Sequence, residues 1–335
     1  MVVKHSDNIS RSKEEANIII HSCKEDTQRR LESNEISNEH SIDVLGDCVA
    51  ESVAAEMKKN TEDQAGQSII RERMGELFES YTCKDYDLPI TASIDSKQWS
   101  YKHHDHEISV FLERPASRIH FIENFISPEQ CIAMENEATT KLHAATVADG
   151  SGGSILSPSR KAKQAGIRIP WHLENKENPL ATISRKVYDY VNWALDMDID
   201  EHGQEDLMSI QYVGRGHNET EPDRYMPHCD GDCTGSDFRP GNRMATIVMY
   251  CTVPEIGGAT NFRNSGVHIK PKPFSAVFFS YLDPDSMKMD NKFTEHSGCP
   301  VIKGEKKIVT QWVRLGVDKD SPWDSFNTSE YIINN

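Results

Sequence analysis

The 335-residue sequence is short of several things, and each shortage closes off a class of protein. No apolar run approaches the roughly 18 residues that a membrane-spanning helix needs, which excludes an integral helical membrane protein. Positive charge is scarce: 37 Lys and Arg stand against 53 Asp and Glu, a formal charge of −16. Such a chain repels a polyanion, so nucleic acid is not an expected partner. Cysteine is sparse for a disulfide scaffold, with 8 residues scattered from Cys23 to Cys299. Only Cys229 and Cys233 lie close together, and a zinc site would need a second such pair. The first eleven residues lack the apolar stretch of a secretory signal, so reduced thiols and a cytoplasmic location are expected. No fixed repeat is present, which excludes a solenoid.

What is there changes character along the chain. Residues 1–100 carry 12 basic and 20 acidic residues and little strand character. Ile42, Leu45, Val49, Val53 and Met57 recur at three- and four-residue intervals, one face of a helix, and Ile70, Met74, Leu77 and Phe78 repeat the habit over Gln67 to Phe78. The first forty residues, rich in Ser, Asn, Glu and Lys, read as largely disordered. From about Ser117 the texture shifts. Arg118 to Glu123 reads as a strand, Ser127-Pro128 as a helix cap, and Pro179 to Leu195 as a second helix. Leu207–Val213, Met244–Thr252, Ser275–Leu282 and Lys307–Leu315 are then short β-rich runs between Gly and Pro turns. The pattern predicts a mainly β fold, a sandwich or jelly-roll with helices on one side. The expected organisation is an acidic extension over 1–116, partly helical and partly disordered, a catalytic domain over 117–316 and an irregular tail over 317–335.

Within the β-rich part, Pro227-His228-Cys229-Asp230 places an imidazole and a carboxylate two residues apart, so an extended chain would project both to one side. A second His from a neighbouring strand would complete a 2-His-1-carboxylate set, which leaves three metal positions open and suits non-haem Fe(II). His296 is the candidate. The pair alone is a cheap coincidence in a chain with 14 His and 53 acids. Lys306 opens the last strong strand; an inward ammonium there needs a partner, and the carboxylate of a bound dicarboxylate would serve. Two other motifs carry less. Asp230-Gly-Asp232 imitates a calcium loop but has Gly241 where a bidentate Glu is required, and His103-His104-Asp105-His106 reads as a solvated loop.

Taken in order, Tyr225-Met-Pro-His228-Cys-Asp230, Gly241-Asn-Arg243, Tyr250 with Gly257-Gly258-Ala-Thr260, His296-Ser-Gly-Cys-Pro300 and Gly304-Glu-Lys306 with Trp312 resemble the prolyl 4-hydroxylase family of Fe(II)- and 2-oxoglutarate-dependent dioxygenases. Phe121 to Glu129 is similar to the opening strand and helix of the same domain. The resemblance covers about 117–316 and implies a double-stranded β-helix core. It implies iron ligation by His228, Asp230 and His296. Lys306, Tyr212 and Thr260 would contact 2-oxoglutarate, and Tyr225 and Arg243 would stand near a peptide substrate. It further implies O2 as cosubstrate, ascorbate as reductant, a proline-containing protein or peptide as substrate, and, by analogy with relatives, the endoplasmic reticulum lumen as the alternative location. The chain departs from the family in a longer Gly216–Pro222 connection, in Lys307 where an aromatic residue is usual, and in Ser159-Arg-Lys-Ala-Lys163 in place of Arg-Thr-Ser. The departures bear on substrate identity. The competing readings are the same iron chemistry on a non-proline substrate and a catalytically silent jelly-roll binding protein.

Overall fold

The computed structural model describes residues 3–55, 58, 90–148 and 154–326, with side chains from residue 17 onward. The chain divides into two units, 1–70 and 71–335. In the first, α1 (Val3–Glu32) is followed by α2 over 41–55. α1 takes up 30 of the first forty residues, which read from sequence as largely disordered. Composition missed the covalent tie: Cys23, 2% exposed, is bridged to Cys48 and staples α1 to α2. The expected helix over Gln67 to Phe78 lies outside the described residues.

The second unit is built on two antiparallel sheets. The major sheet contains β1 (Asp95–Tyr101), β2 (His104–Arg114), β3 (Ser117–Ile122), β4 (Lys163–Ile167), β5 (Leu207–Arg215), β7 (Arg243–Thr252), β10 (Ala276–Ser280) and β12 (Val301–Arg314). Their spatial order is β1-β2-β3-β10-β7-β12-β5-β4. The minor sheet runs β9 (Val267–Ile269), β8 (Thr260–Phe262), β11 (His296–Gly298), β6 (Arg224–His228) and the short segment Arg160–Lys161. This pairing of a large and a small sheet is the jelly-roll core.

The β1–β2 hairpin, assigned to the extension, pairs with β3 and belongs to the sheet. His103 and His104 sit exposed near its turn, while His106 is buried against Trp99. At the other end, the irregular segment 317–326 packs onto the domain: Val317 and Phe326 are buried, and Trp323 N donates to Gly203 O at 2.7 Å.

Two helices cover the outer face of the major sheet. α3 (Pro128–Thr139) starts at a capping box between Ser127 and Gln130, and α4 (Pro179–Leu195) starts with Asn178 accepting from Leu180 N and Ala181 N. The two-residue period of β12 then divides its side chains. Lys307 and Gln311 point outward to Glu135 of α3 and Ser184 of α4, while Lys306, Ile308, Thr310 and Trp312 point inward to the cavity between the sheets. Lys307 lies on a central strand, and its ammonium sits 2.9 Å from Glu135.

The thiols are not reduced. Cys131 of α3 is bridged to Cys251 of β7, Cys229 to Cys233, and Cys299 is also disulfide-bonded. Linear spacing held no sign of this, because the Cys131–Cys251 partners lie 120 residues apart. No helix among the described residues is long and apolar enough to cross a membrane.

Candidate functional site

β6 and β11 are neighbours in the minor sheet, and their register sets His228 directly opposite His296, the two rings 4.3 Å apart. β6 ends at His228, so Asp230 reaches the same point from the following bend rather than by simple strand alternation. Asp230 Oδ1 lies 3.4 Å from His228 Nε2, and Oδ2 lies 3.8 Å from His296 Nε2. One donor atom from each residue falls within 4.8 Å of the other two.

The surroundings prepare these atoms for a cation. His228 Nδ1 is 2.9 Å from Met226 O, and His296 Nδ1 is 3.0 Å from Thr294 O. Donation of an N–H to each carbonyl leaves both Nε2 lone pairs facing Asp230. Burial and the neighbouring His228 push the His296 pKa down to about 4, so this imidazole is neutral at physiological pH. Burial alone would raise the Asp230 pKa, but His296, His228 and Arg243 outweigh it and hold the group well below the usual carboxylate range. Thr246 Oγ1 donates to Asp230 Oδ2 at 2.8 Å. Two imidazoles and one carboxylate on a shared face, with space in front of them, fit the donor set of non-haem Fe(II).

Lys306 faces the same cavity and is 2% exposed. It makes no salt bridge among the described residues, and desolvation pushes its pKa down to about 7. Tyr212, directly opposite it on β5, and Tyr250 lie with ring centroids 5.6 and 5.5 Å from its ammonium. The Tyr250 hydroxyl is 2.7 Å from Thr260 Oγ1. The Gly257-Gly258 turn makes room for this arrangement. Both glycines have positive φ, and a Cβ on Gly258 would stand 2.5 Å from Pro254 Cγ and 3.3 Å from Lys306 Cδ. A buried cation with hydroxyls and ring faces beside it and no carboxylate paired to it among the described residues is complementary to an anion, and the fit extends to a dicarboxylate chelated at its other end.

The remaining sequence-predicted residues divide. Tyr225 lines the cavity and stacks on His228 with centroids 3.5 Å apart. Arg243 does not line it. Its guanidinium lies over Trp312 at 4.0 Å, donates to Glu205 at 2.6 Å and reaches Asp230 O at 3.2 Å. It is the partly exposed half of an ion pair whose other half, Glu205, is buried. Glu205 also accepts from Arg314 Nε at 2.7 Å.

Sequence reasoning missed Glu205 and Arg160. Arg160 is 8% exposed, lines the cavity and lies over the Tyr225 ring at 4.6 Å. It sits in a run of basic residues that reads as a solvated surface; only its pairing with Tyr225 in the minor sheet turns it inward.

Comparison with known proteins places this geometry. Residues 214–314 match the 2OG-Fe(II) oxygenase superfamily. Prolyl 4-hydroxylase subunit alpha-2 of Caenorhabditis elegans is 25% identical over 57% of this chain and 33% of its own length. Prolyl 4-hydroxylase 1 of Arabidopsis thaliana is 27% identical over 59% of this chain and 69% of its own. A viral collagen prolyl hydroxylase from Paramecium Bursaria Chlorella virus-1, solved as a 2OG complex, is 26% identical over 59% of this chain and 95% of that one, with a TM-score of 0.43. The chain spans 33% and 45% of the lengths of the two Caenorhabditis elegans subunits it matches. Residues 214–314, which carry His228, Asp230, His296 and Lys306, thus match the 2OG-Fe(II) oxygenase superfamily, and the chain is similar to prolyl 4-hydroxylases over more than half of its length.

Proposed function

We propose that this protein is a 2-oxoglutarate-dependent dioxygenase that hydroxylates a peptidyl proline, with His228, Asp230 and His296 holding Fe(II) and Lys306 holding the distal carboxylate of 2-oxoglutarate. One observation carries the reading above the others: a buried Lys306 ammonium with no salt bridge among the described residues shares a cavity with a facial set of two imidazoles and a carboxylate. A silent binding protein has no need of that combination, because a buried cation without a counter-ion costs stability unless a ligand supplies one.

Bound Fe(II) and 2-oxoglutarate supply the oxidative chemistry that activates O2 and places a hydroxyl on a C–H bond. The chain's own residues bind, orient and exclude. His228 and His296 present Nε2 because backbone carbonyls engage their Nδ1 atoms. Thr246 fixes the rotation of the Asp230 carboxylate. Lys306 supplies the counter-charge to a dicarboxylate, and the Tyr250–Thr260 hydroxyl pair can donate to the same group. The apolar walls Ile210, Val248 and Ile308 keep water from competing. Tyr225, Trp312 and Arg160 rim the cavity, a flat, rigid surface suited to a proline ring. The disulfides support the endoplasmic reticulum lumen over the cytoplasm as the site of action.

Succinate release from 2-oxoglutarate, measured with Fe(II), ascorbate and a panel of proline-rich and proline-free peptides, tests the reading. Proline-dependent turnover in the wild type that vanishes in His228→Ala is expected. Wild-type conversion by His228→Ala would falsify the metal assignment, and stimulation by proline-free peptides alone would replace the substrate.

A further inference from the structure

The ladder between β6 and β11 stops at His228, and the metal-facing carboxylate lies beyond its end. Among the described residues, the next backbone-to-backbone hydrogen bond along the chain is from Gly235 N to Asp290 O. Between them, the Cys229–Cys233 bridge closes a ring of five residues around Asp230, Gly231 and Asp232. Cys229 is the residue between the two ligands. The ring is pressed against the site from behind, since a Cβ on Gly231 would stand 2.5 Å from Tyr281 Cε2 and 2.9 Å from Arg243 O. Asp232 ties its far side by accepting from Thr234 N at 2.8 Å and Ser236 Oγ at 2.6 Å.

We infer that the Cys229–Cys233 disulfide is a positioning element for Asp230, taking the place of the missing sheet pairing, and that its reduction by a dithiol weakens metal binding. The inference rests on the metal reading proposed above. Its location argues for a local rather than a global role. Closing a loop of sequence separation 4 removes far less unfolded-state entropy than the Cys131–Cys251 bridge, whose separation is 120. Accessibility separates the two bridges as well. Cys229 and Cys233 are both partly exposed, whereas Cys131 and Cys251 are 4% and 8% exposed. A thiolate of the reductant attacks one sulfur of the outer bridge to form a mixed disulfide. Its second thiol then closes a cyclic disulfide and releases both cysteines as thiols, so two electrons and two protons pass to the protein.

The experiment titrates the full chain with Co(II), followed by its visible ligand-field absorption and by calorimetry. Three forms are compared: oxidised wild type, wild type after mild dithiol treatment with alkylation mapping to show which bridge opened, and Cys229→Ser/Cys233→Ser. Groups that orient metal ligands typically change affinity by roughly 10–100-fold. That loss is expected in the double variant whether or not dithiol is present, and in the wild type only after dithiol. The serine variant removes any contribution from newly freed thiols as ligands. Co(II) affinity of the double variant and of the selectively reduced wild type within about twofold of the oxidised protein overturns the inference while leaving the metal site standing. Equal, negligible Co(II) binding by oxidised wild type and His228→Ala overturns the metal reading and the inference with it.

Discussion

The two sheets that enclose the cavity contribute differently to it. The major sheet supplies Lys306, Tyr212, Tyr250 and Trp312 from long strands, β12 alone running for 14 residues, in unbroken register with β5 and with irregularities only near the two ends of its pairing with β7. The minor sheet supplies His228, His296 and Thr260 from strands of three to five residues, with a register irregularity between Tyr225 and His228 and a bend carrying Asp230. Long strands position a side chain by repetition, since every ladder hydrogen bond fixes its neighbours. Short strands cannot, so the minor sheet relies on individual ties: two backbone carbonyls for the imidazoles, Thr246 for the carboxylate and a disulfide for the bend. The binding end of the cavity is held collectively and the metal end residue by residue.

This contrast can be broken or sharpened by substitution. The largest effect after loss of a metal ligand belongs to Lys306→Ala. Deleting one partner of a buried charge-assisted contact commonly costs about 2–5 kcal/mol, so the KM for 2-oxoglutarate should rise by roughly 30-fold or more while the protein still binds Co(II). An unchanged KM would remove Lys306 from the site. Arg243→Ala should act on the other side of the contrast. With Glu205 still held by Arg314, stability is expected to fall by about 1–3 kcal/mol in denaturant unfolding, with a small change in 2-oxoglutarate KM. A steep KM effect on a peptide substrate with unaltered stability would restore Arg243 to a substrate role.

The pH dependence follows from the Lys306 pKa near 7 in the ligand-free protein. Below pH 7 the ammonium is already formed. Above it, binding a dicarboxylate must first return the proton, so affinity should weaken by at most about tenfold per unit, visible in calorimetric titrations from pH 6.5 to 9. Affinity that is flat across this range would show that the amine stays charged before ligand arrives. The smallest effect belongs to Gly258→Ala. The strained φ and the approach to Lys306 Cδ should cost about 1 kcal/mol and raise the same KM a few-fold, leaving Co(II) affinity alone.

The legibility of the chain follows the same division. The helix from Pro179 to Leu195 was readable to its ends, because an Asn-Pro start and an amphipathic stripe are local signals. The β-rich runs were readable as strands, but β12 began six residues earlier than its apolar stretch suggested. The polar segment Lys303 to Lys306 is held as strand by β5, a partner nearly ninety residues upstream. His228, Asp230, His296 and Lys306 were found because their spacing and order resemble a known motif set. Arg160 and Glu205 carried no such mark: one hides in a basic run and the other in an acidic chain.

By itself, then, the sequence determined which residues have metal-binding and anion-binding chemistry and where most helices and strands lie, since residue identity and short-range periodicity are written along one dimension. Tertiary structure alone decided that His228 faces His296, that Arg243 turns away to Glu205, that Lys307 meets a helix instead of solvent, and which cysteines bridge. Each of those outcomes depends on strand register and on chain segments meeting across tens or hundreds of residues, and a pattern read over a few neighbours contains no record of that closure.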